Sequence, residues 1–432
     1  MSYDFNIQPP AIKTATLVAL VARLTRHDML DSMFNNTFLL TYKSFTTARE
    51  LFVFLVRRFQ IQPPDGMAQD EFEKWRDRKQ KLIRFRVVNI LKSWVDNFWM
   101  EDQSHETMSL LRDIYYFARD TVKVIGVSGA NSLMILLEQR IRRNDETKVK
   151  RLILNSSQSW PAPILPRSMK IITFLDVNIT EYARQLTLME FNLLSKINTK
   201  ELLSNNWNKA AVKDGLEPAR NIKAFLLHDS QLSDWIIGLT LYQTTAKKKG
   251  AVIKHFVGIA NKCRQLNNYS AVASIVFALG APKIVVLNET WKLVSNDTIR
   301  ILQELRGLMS FYKGYSQQYQ DALHLANPPC IPCLRVHLTE LARTEAAAPV
   351  IIDKSAQINF AQLQKTAEII RDIQQYQNIS YSLQPVPELQ EYILVNLQAA
   401  SDAGEPEPKN LEAELLSSPA GKSGRETPSY FG

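Results

Sequence analysis

The longest apolar run, residues 271–287, sets the first limit on how this chain can fold. Gly280, Ala281, Pro282 and Lys283 fall in its second half, so it is too short and too broken for a bilayer span of about 20 apolar residues. What remains, Tyr269–Leu279, reads as a helix apolar on nearly every side, and such a helix belongs at the centre of a large helical domain. Directly after it, residues 291–319 read as two short antiparallel helices. Ser295, Asn296 and Asp297 supply capping oxygens, and Ile301, Leu305 and Leu308 then recur at helical spacing, with Leu302 and Met309 beside them. Gly307 and the Lys313-Gly314 pair permit a turn, and the second arm must stop before Asn327-Pro328-Pro329. Each arm is about 10–12 residues, too short to be stable alone in water, so its apolar stripe needs a body to pack on. The local pattern favours an ordinary core hairpin, with a projecting tool that uses the rest of the protein as a handle as the alternative.

Composition agrees with an all-α fold. Alternating apolar-polar runs are scarce, glycine is low at 14 residues, and 45% hydrophobic with 22% charged residues is ordinary for a globular chain able to build two or three domains. The net charge of +9 invites a nucleic-acid reading, but the basic residues are scattered apart from Lys247-Lys248-Lys249 and the stretch 74–86. They lack the aromatic interleaving of a nucleic-acid platform, so no nucleic-acid partner is expected. Cys330 and Cys333 have redox or zinc spacing. The βαβ context of a redox pair is missing, and Cys263, His324 and His337 are the nearest further ligands, so no metal and no cofactor are expected. The three cysteines and the lack of a secretory signal favour a reducing, cytoplasmic setting. No phosphate-binding loop, metalloprotease or nucleophile-elbow motif occurs, and nothing points to covalent chemistry.

In chain order, residues 1–10 read as an unstructured leader, and from Ile12 the pattern turns helical through Leu17, Leu20, Val21 and Leu24. Thr46 or Thr47 opens a helix with Leu51, Phe52, Leu55, Val56 and Phe59 inward; residues 72–98 read as one long helix and 104–119 as another. Four ordered blocks here, LVALVARL, TFLLTYKSFTT, ELFVFLVRRF and VVNILKSWVDNFW, resemble the Ras-exchanger-motif (REM) domain that precedes the catalytic domain of Ras-family guanine-nucleotide exchange factors. Residues 126–169 read as a connector containing a helix near 133–143. A second set of blocks resembles the catalytic RasGEF domain: ARQLTL-x-E at 183–190, KHFVGIA at 254–260, LNNYSAV at 266–272, Thr290-Trp291, NPPCIP at 327–332 and IQQYQ at 373–377. The expected division is therefore a REM domain over 11–125, the connector, a RasGEF domain over 170–400, and a disordered tail over 401–432, poor in large aliphatics.

The resemblance implies a REM domain packed on a larger helical RasGEF domain with a protruding hairpin. It also implies an activity without bond chemistry, in which the hairpin enters a Ras-family small GTPase beside its phosphate-binding loop and displaces switch 1. On that footing Glu304 supplies the carboxylate, Leu302 or Leu305 the apolar intrusion, with Ile301 beside them, and Trp291 sets the angle of the hairpin base. Arg184, Glu190, Asn267, Asn268 and Tyr269 become candidates for gripping the switch segments, with helix capping and interior polar satisfaction as the competing account. Because such GTPases are lipid-anchored, transient membrane proximity follows. Departures from the family pattern at Val286, Cys333-Leu334-Arg335 and His337-Leu338 leave open a non-catalytic GTPase-binding scaffold as the alternative.

Overall fold

The computed structural model describes residues 1–5, 11–142, 161–209, 217–310, 317–352 and 356–402. The expected tail beyond 402, the middle of the connector, and the Lys313-Gly314 turn lie outside the described residues. In chain order the elements are β1 (Ser2–Asp4), β2 (Ala11–Ala15), α1 (Leu17–Leu24), α2 (Ser32–Thr41), α3 (Ala48–Phe59), α4 (Gln69–Trp75), α5 (Lys81–Asn97), α6 (His105–Phe117), α7 (Ala130–Arg142) and α8 (Ile179–Leu194). They continue with α9 (Arg220–Tyr242), α10 (Ala246–Gln265), α11 (Tyr269–Leu279), α12 (Pro282–Val285), α13 (Asn288–Trp291), α14 (Asn296–Leu308), α15 (Gln317–Leu325), α16 (Leu334–Ala347), β3 (Ile358–Asn359), α17 (Phe360–Gln377) and α18 (Pro387–Asp402). The fold is all-α apart from one small sheet of order β1-β2-β3.

Two compact units divide the chain, and neither is continuous in sequence. One gathers residues 1–153, 193–225 and 334–380; the other 154–192, 226–333 and 381–432. In the first, α3, α5 and α6 supply the expected inward residues, among them Leu51, Leu55, Phe59, Leu91 and Trp94. The same core takes in Ile358, Phe360 and Leu363 from far along the chain. Phe34 on α2 meets Phe360 on α17 with ring centroids 4.9 Å apart, and Arg371 of α17 donates to Thr37 Oγ1 at 3.3 Å. At the sheet, β2 pairs antiparallel with β3 through Thr14–Asn359 and Ala15–Ile358.

That sheet is the main departure from the expected helices. Ile12 lies in β2 rather than in a helix, α1 begins only at Leu17 behind the Thr16 cap, and Ser2–Asp4 of the expected leader pair with β2. The pairing satisfies backbone groups that a lone five-residue strand would leave open. The long helix expected over 72–98 is continuous helical backbone, with a wider turn at Arg76–Gln80 between α4 and α5.

The second unit is centred on the expected buried helix, α11, whose limits match the sequence reading. Its Ala271, Val272, Ala278 and Leu279 have no exposed surface. Around it α10 packs on α11, α13 and α14. Phe174, Tyr182, Trp235 and Phe256 form an aromatic cluster, with Phe174 and Phe256 centroids 4.4 Å apart. The close crossing of α10 and α8 depends on Gly258: a Cβ there would lie 2.9 Å from Ile179 Cδ1.

Candidate functional site: a hairpin held at both roots

Both arms of the expected hairpin are present, as α14 and α15. At the entry root, Trp291 donates its Nε1–H to the Ile284 carbonyl at 3.0 Å, which ties α13 to α12. Ser295 then caps α14 by accepting from the Thr298 amide at 3.4 Å. α14 turns Thr298, Leu302, Leu305 and Leu308 inward, and it packs on α10 and α11. Arg306 donates to the carbonyl of Leu279 at 3.2 Å, meeting an orphan acceptor at the end of α11.

The exit root is held by the corner between α10 and α11. Asn267 sits in the left-handed region at φ 56°, a conformation asparagine tolerates better than most residues. That turn aims its side-chain amide at the carbonyls of Asn327, at 2.8 Å, and Pro329, at 3.3 Å. The Ile331 amide donates to the Asn267 carbonyl at 2.9 Å, and the Tyr269 amide donates to the Ile331 carbonyl at 2.8 Å. Higher on the arm, the Tyr269 hydroxyl donates to the Ala322 carbonyl at 3.2 Å, and the ring meets Tyr319 edge-on at 5.7 Å. Tyr319 in turn accepts from the Cys333 amide at 2.8 Å. NPPCIP is thus the strap by which the second arm is fastened to α11.

The expected site residues fall into two groups. Glu304 is on the outer face of α14 with 46% of its side chain exposed, paired to Arg300 at 2.9 Å; Gln303 is exposed beside it and Ile301 is half-buried. Leu302 and Leu305, by contrast, are 3% and 0% exposed and pack the arm against its body. Asn268 has no exposed surface either: it caps α11 by accepting from the Ala271 amide at 3.1 Å and donates to Thr187 Oγ1 at 3.1 Å. Tyr269 is buried as described. Glu190 is fully buried, with a carboxylate oxygen 3.6 Å from His228 Nε2, and Arg184 is bound to Glu181 at 3.1 Å and to the Ala162 carbonyl at 3.3 Å. Capping describes Asn268, and pairing with Glu181 describes Arg184, whereas the buried Glu190 oxygens have, among the described residues, no hydrogen-bond partner nearer than the His228 contact.

Sequence reasoning missed two features of the exposed face. Arg300 and Gln303 complete the outer stripe of α14, which is simply the complement of the apolar one. Phe277 on α11, Val286 after α12 and Leu293 after α13 are 62%, 67% and 61% exposed. Apolar side chains left in water are a recognisable sign of a protein-binding surface, although periodicity could not separate them from core. The Cys330-x-x-Cys333 pair is buried, and burial pushes the Cys330 thiol up to about 12, the opposite of a reactive thiolate.

Packed helices with an outward carboxylate and exposed apolar side chains are features of the class of proteins that present a surface to another macromolecule. Comparison with known proteins narrows that class: a family model described as the RasGEF N-terminal motif matches residues 11–117, and one described as the RasGEF domain matches residues 181–364. The chain belongs to the Ras guanine-nucleotide exchange factor family. It is 32% identical over 387 residues to Cell division control protein 25 of Candida albicans, an alignment covering 88% of this chain and 28% of that protein. It is 30% identical to Ras guanine nucleotide exchange factor efc25 of Schizosaccharomyces pombe, over 89% of this chain and 37% of that protein. To Protein son of sevenless of Drosophila melanogaster it is 29% identical, over 87% and 24% respectively. The chain therefore spans well under half the length of these relatives.

Proposed function

We propose that this chain is a guanine-nucleotide exchange factor for a Ras-family small GTPase, a regulator that makes and breaks no covalent bond. The observation that carries the reading is the hairpin fastened at both roots within a chain that has both family domains in series. A Ras-type GTPase holds its nucleotide through a phosphate-binding loop and a magnesium ion that ties the phosphates to the switch segments. The α14–α15 hairpin enters beside that loop and displaces switch 1. Glu304 places a negative charge where magnesium and phosphate interact, and Ile301, the half-exposed apolar residue beside it, is the intruding side chain. Leu302 and Leu305 keep the arm straight, while Trp291 and the Asn267–Tyr269 corner (residues 267–269) fix its angle. Phe277, Val286 and Leu293 supply apolar contact around the root.

Acceleration is then a coupling free energy: nucleotide and exchange factor weaken each other's hold on the GTPase by the same factor. No cofactor or metal of the exchange factor's own is needed, and nucleic acid has no part. The chain acts from the cytoplasm, drawn to a membrane surface by its lipid-anchored substrate. The test is release of fluorescently labelled GDP from Ras-, Rap- and Ral-type GTPases, with and without the full chain. Acceleration with one of them supports the reading. Tight binding to a GTPase with no faster release would instead establish the non-catalytic scaffold.

A further inference from the structure

The first unit holds a basic cleft that the exchange mechanism does not use. Its volume is about 330 Å³. Its cations come from separate parts of the chain: Arg23 on α1, Arg26 in the turn after it, Arg58 on α3, and Lys79 in the wide turn before α5, with the His27 imidazole also lining it. Two of these are matched by carboxylates. Arg26 grips Asp28 with bonds of 2.9 and 2.6 Å, and Arg23 donates to Asp31 at 2.8 Å while lying over the Phe34 ring. Arg58 is bonded through Nε to the Thr25 hydroxyl at 3.0 Å, and neither it nor Lys79 has a carboxylate partner among the described residues. The Nε of Arg23 is itself buried without an acceptor. Half-buried cations left unmatched are costly, and an anion entering the cleft relieves Arg58 and Lys79 together.

The shape and the surroundings say which anion. A compact cavity ringed by cations suits several phosphate oxygens on one small ring, each taking charge-assisted bonds. Immediately after Asp28, Met29, Leu30 and Met33 are 45%, 58% and 63% exposed. A soluble ligand would give those apolar side chains no role, whereas a basic pocket rimmed by exposed apolar residues is suited to a membrane interface carrying anionic headgroups. We propose that this cleft binds the multiply phosphorylated inositol headgroup of an anionic membrane lipid, with Met29, Leu30 and Met33 entering the interface. The proposal does not rest on exchange activity, since its readout is membrane binding alone.

The experiment is co-sedimentation of the full chain with phosphatidylcholine vesicles containing phosphatidylinositol bisphosphate, against vesicles of equal total charge made with phosphatidylserine. Calorimetric titration with soluble inositol trisphosphate separates headgroup recognition from membrane contact. Binding should favour the bisphosphate vesicles. Lys79→Gln and Arg58→Gln should each weaken vesicle and soluble-headgroup binding by about tenfold, as expected for loss of a charged contact. The double change Leu30→Ser, Met33→Ser should weaken vesicle binding and leave inositol trisphosphate binding intact. Lys79 lies in a partly exposed turn, so its variant should keep the wild-type melting temperature and remain informative even if Arg58→Gln is unstable. Equal binding to the phosphatidylserine vesicles, or a folded Lys79→Gln that binds like wild type, overturns the site. Headgroup binding with vesicle binding indifferent to Leu30 and Met33 overturns the membrane source, as does a phosphopeptide that competes better than inositol trisphosphate.

Discussion

At the scale of single residues, Glu304 and Trp291 differ in a way that can be measured. Glu304 is exposed and its pairing with Arg300 is a surface contact, so Glu304→Ala should change stability by only about 0.5 kcal/mol or less. It should nevertheless slow GDP release from the cognate GTPase by about tenfold or more, if one charged contact to the partner is lost. Unchanged release would move the working face of α14 elsewhere. Trp291→Phe keeps the ring and deletes the bond to Ile284, which should cost about 1 kcal/mol and lower the melting temperature. Its exchange defect should recover partly on cooling, as the root regains its angle, and a temperature-independent defect would speak for direct contact with the GTPase.

His228 offers a different residue-scale test. Burial alone would lower its pKa, but the carboxylates beside it, Glu190 first and then Asp229, outweigh burial and hold it above its ordinary value. A group raised on folding contributes stability that is complete below its unfolded value, about 6.5, and is lost as pH rises through the folded value. Urea unfolding midpoints should therefore fall as pH rises above about 6.5, and Glu190→Gln should flatten that part of the profile. Parallel profiles for the two proteins would remove the pair from the pH dependence.

At the scale of elements, α10 carries two glycines with opposite expectations. Gly250 faces ordinary contacts, since an added Cβ would be 3.8 Å from the Thr290 carbonyl, so Gly250→Ala should gain up to about 1 kcal/mol of helix propensity. Gly258 faces the branched side chain of Ile179, and Gly258→Ala should give a net loss of about 1–2 kcal/mol from overpacking. Thermal unfolding of the two variants should shift in opposite directions, and a shared sign would mean that α8 yields at the crossing.

The same scale explains what could be read beforehand. Helices with a cap and a periodic face, such as α6 behind Ser104 and α11 behind Asn268, were legible because the signals are local. β2 was not legible, because a five-residue strand is made by its partners, one of them near residue 359. The hairpin itself was legible, but the roles of its residues were not. An apolar stripe announces that something will cover it, and the same pattern suits Leu302 against its own domain or against another protein. Asn267 and Asn268 look alike in sequence; only the turn between α10 and α11 sends one to the strap and the other to a cap.

At the scale of the whole molecule, the first unit draws its core from distant lengths of chain. Residues 170–400 expressed alone would leave Phe360, Ile358 and Leu363 without the core in which they are buried. That fragment should be less soluble and less active in GDP release than the full chain, by light scattering and by the release assay. A fragment equal to the whole on both measures would show that the shared core is dispensable.

That shared core also imposes an order of events on synthesis. Strand β2 leaves the ribosome well before its partner β3 and the α17 side chains that complete the core, which come about 340 residues later, roughly 17–70 s at ordinary elongation rates. Through that interval Phe34 and Ile12 have no native cover from α17 or β3, and the edge of β2 has no strand to pair with on one side. A nascent chain in this condition needs either a chaperone at α1–α3 or a provisional packing that later gives way. The first unit finishes folding only after the whole of the second unit's central helices has been made.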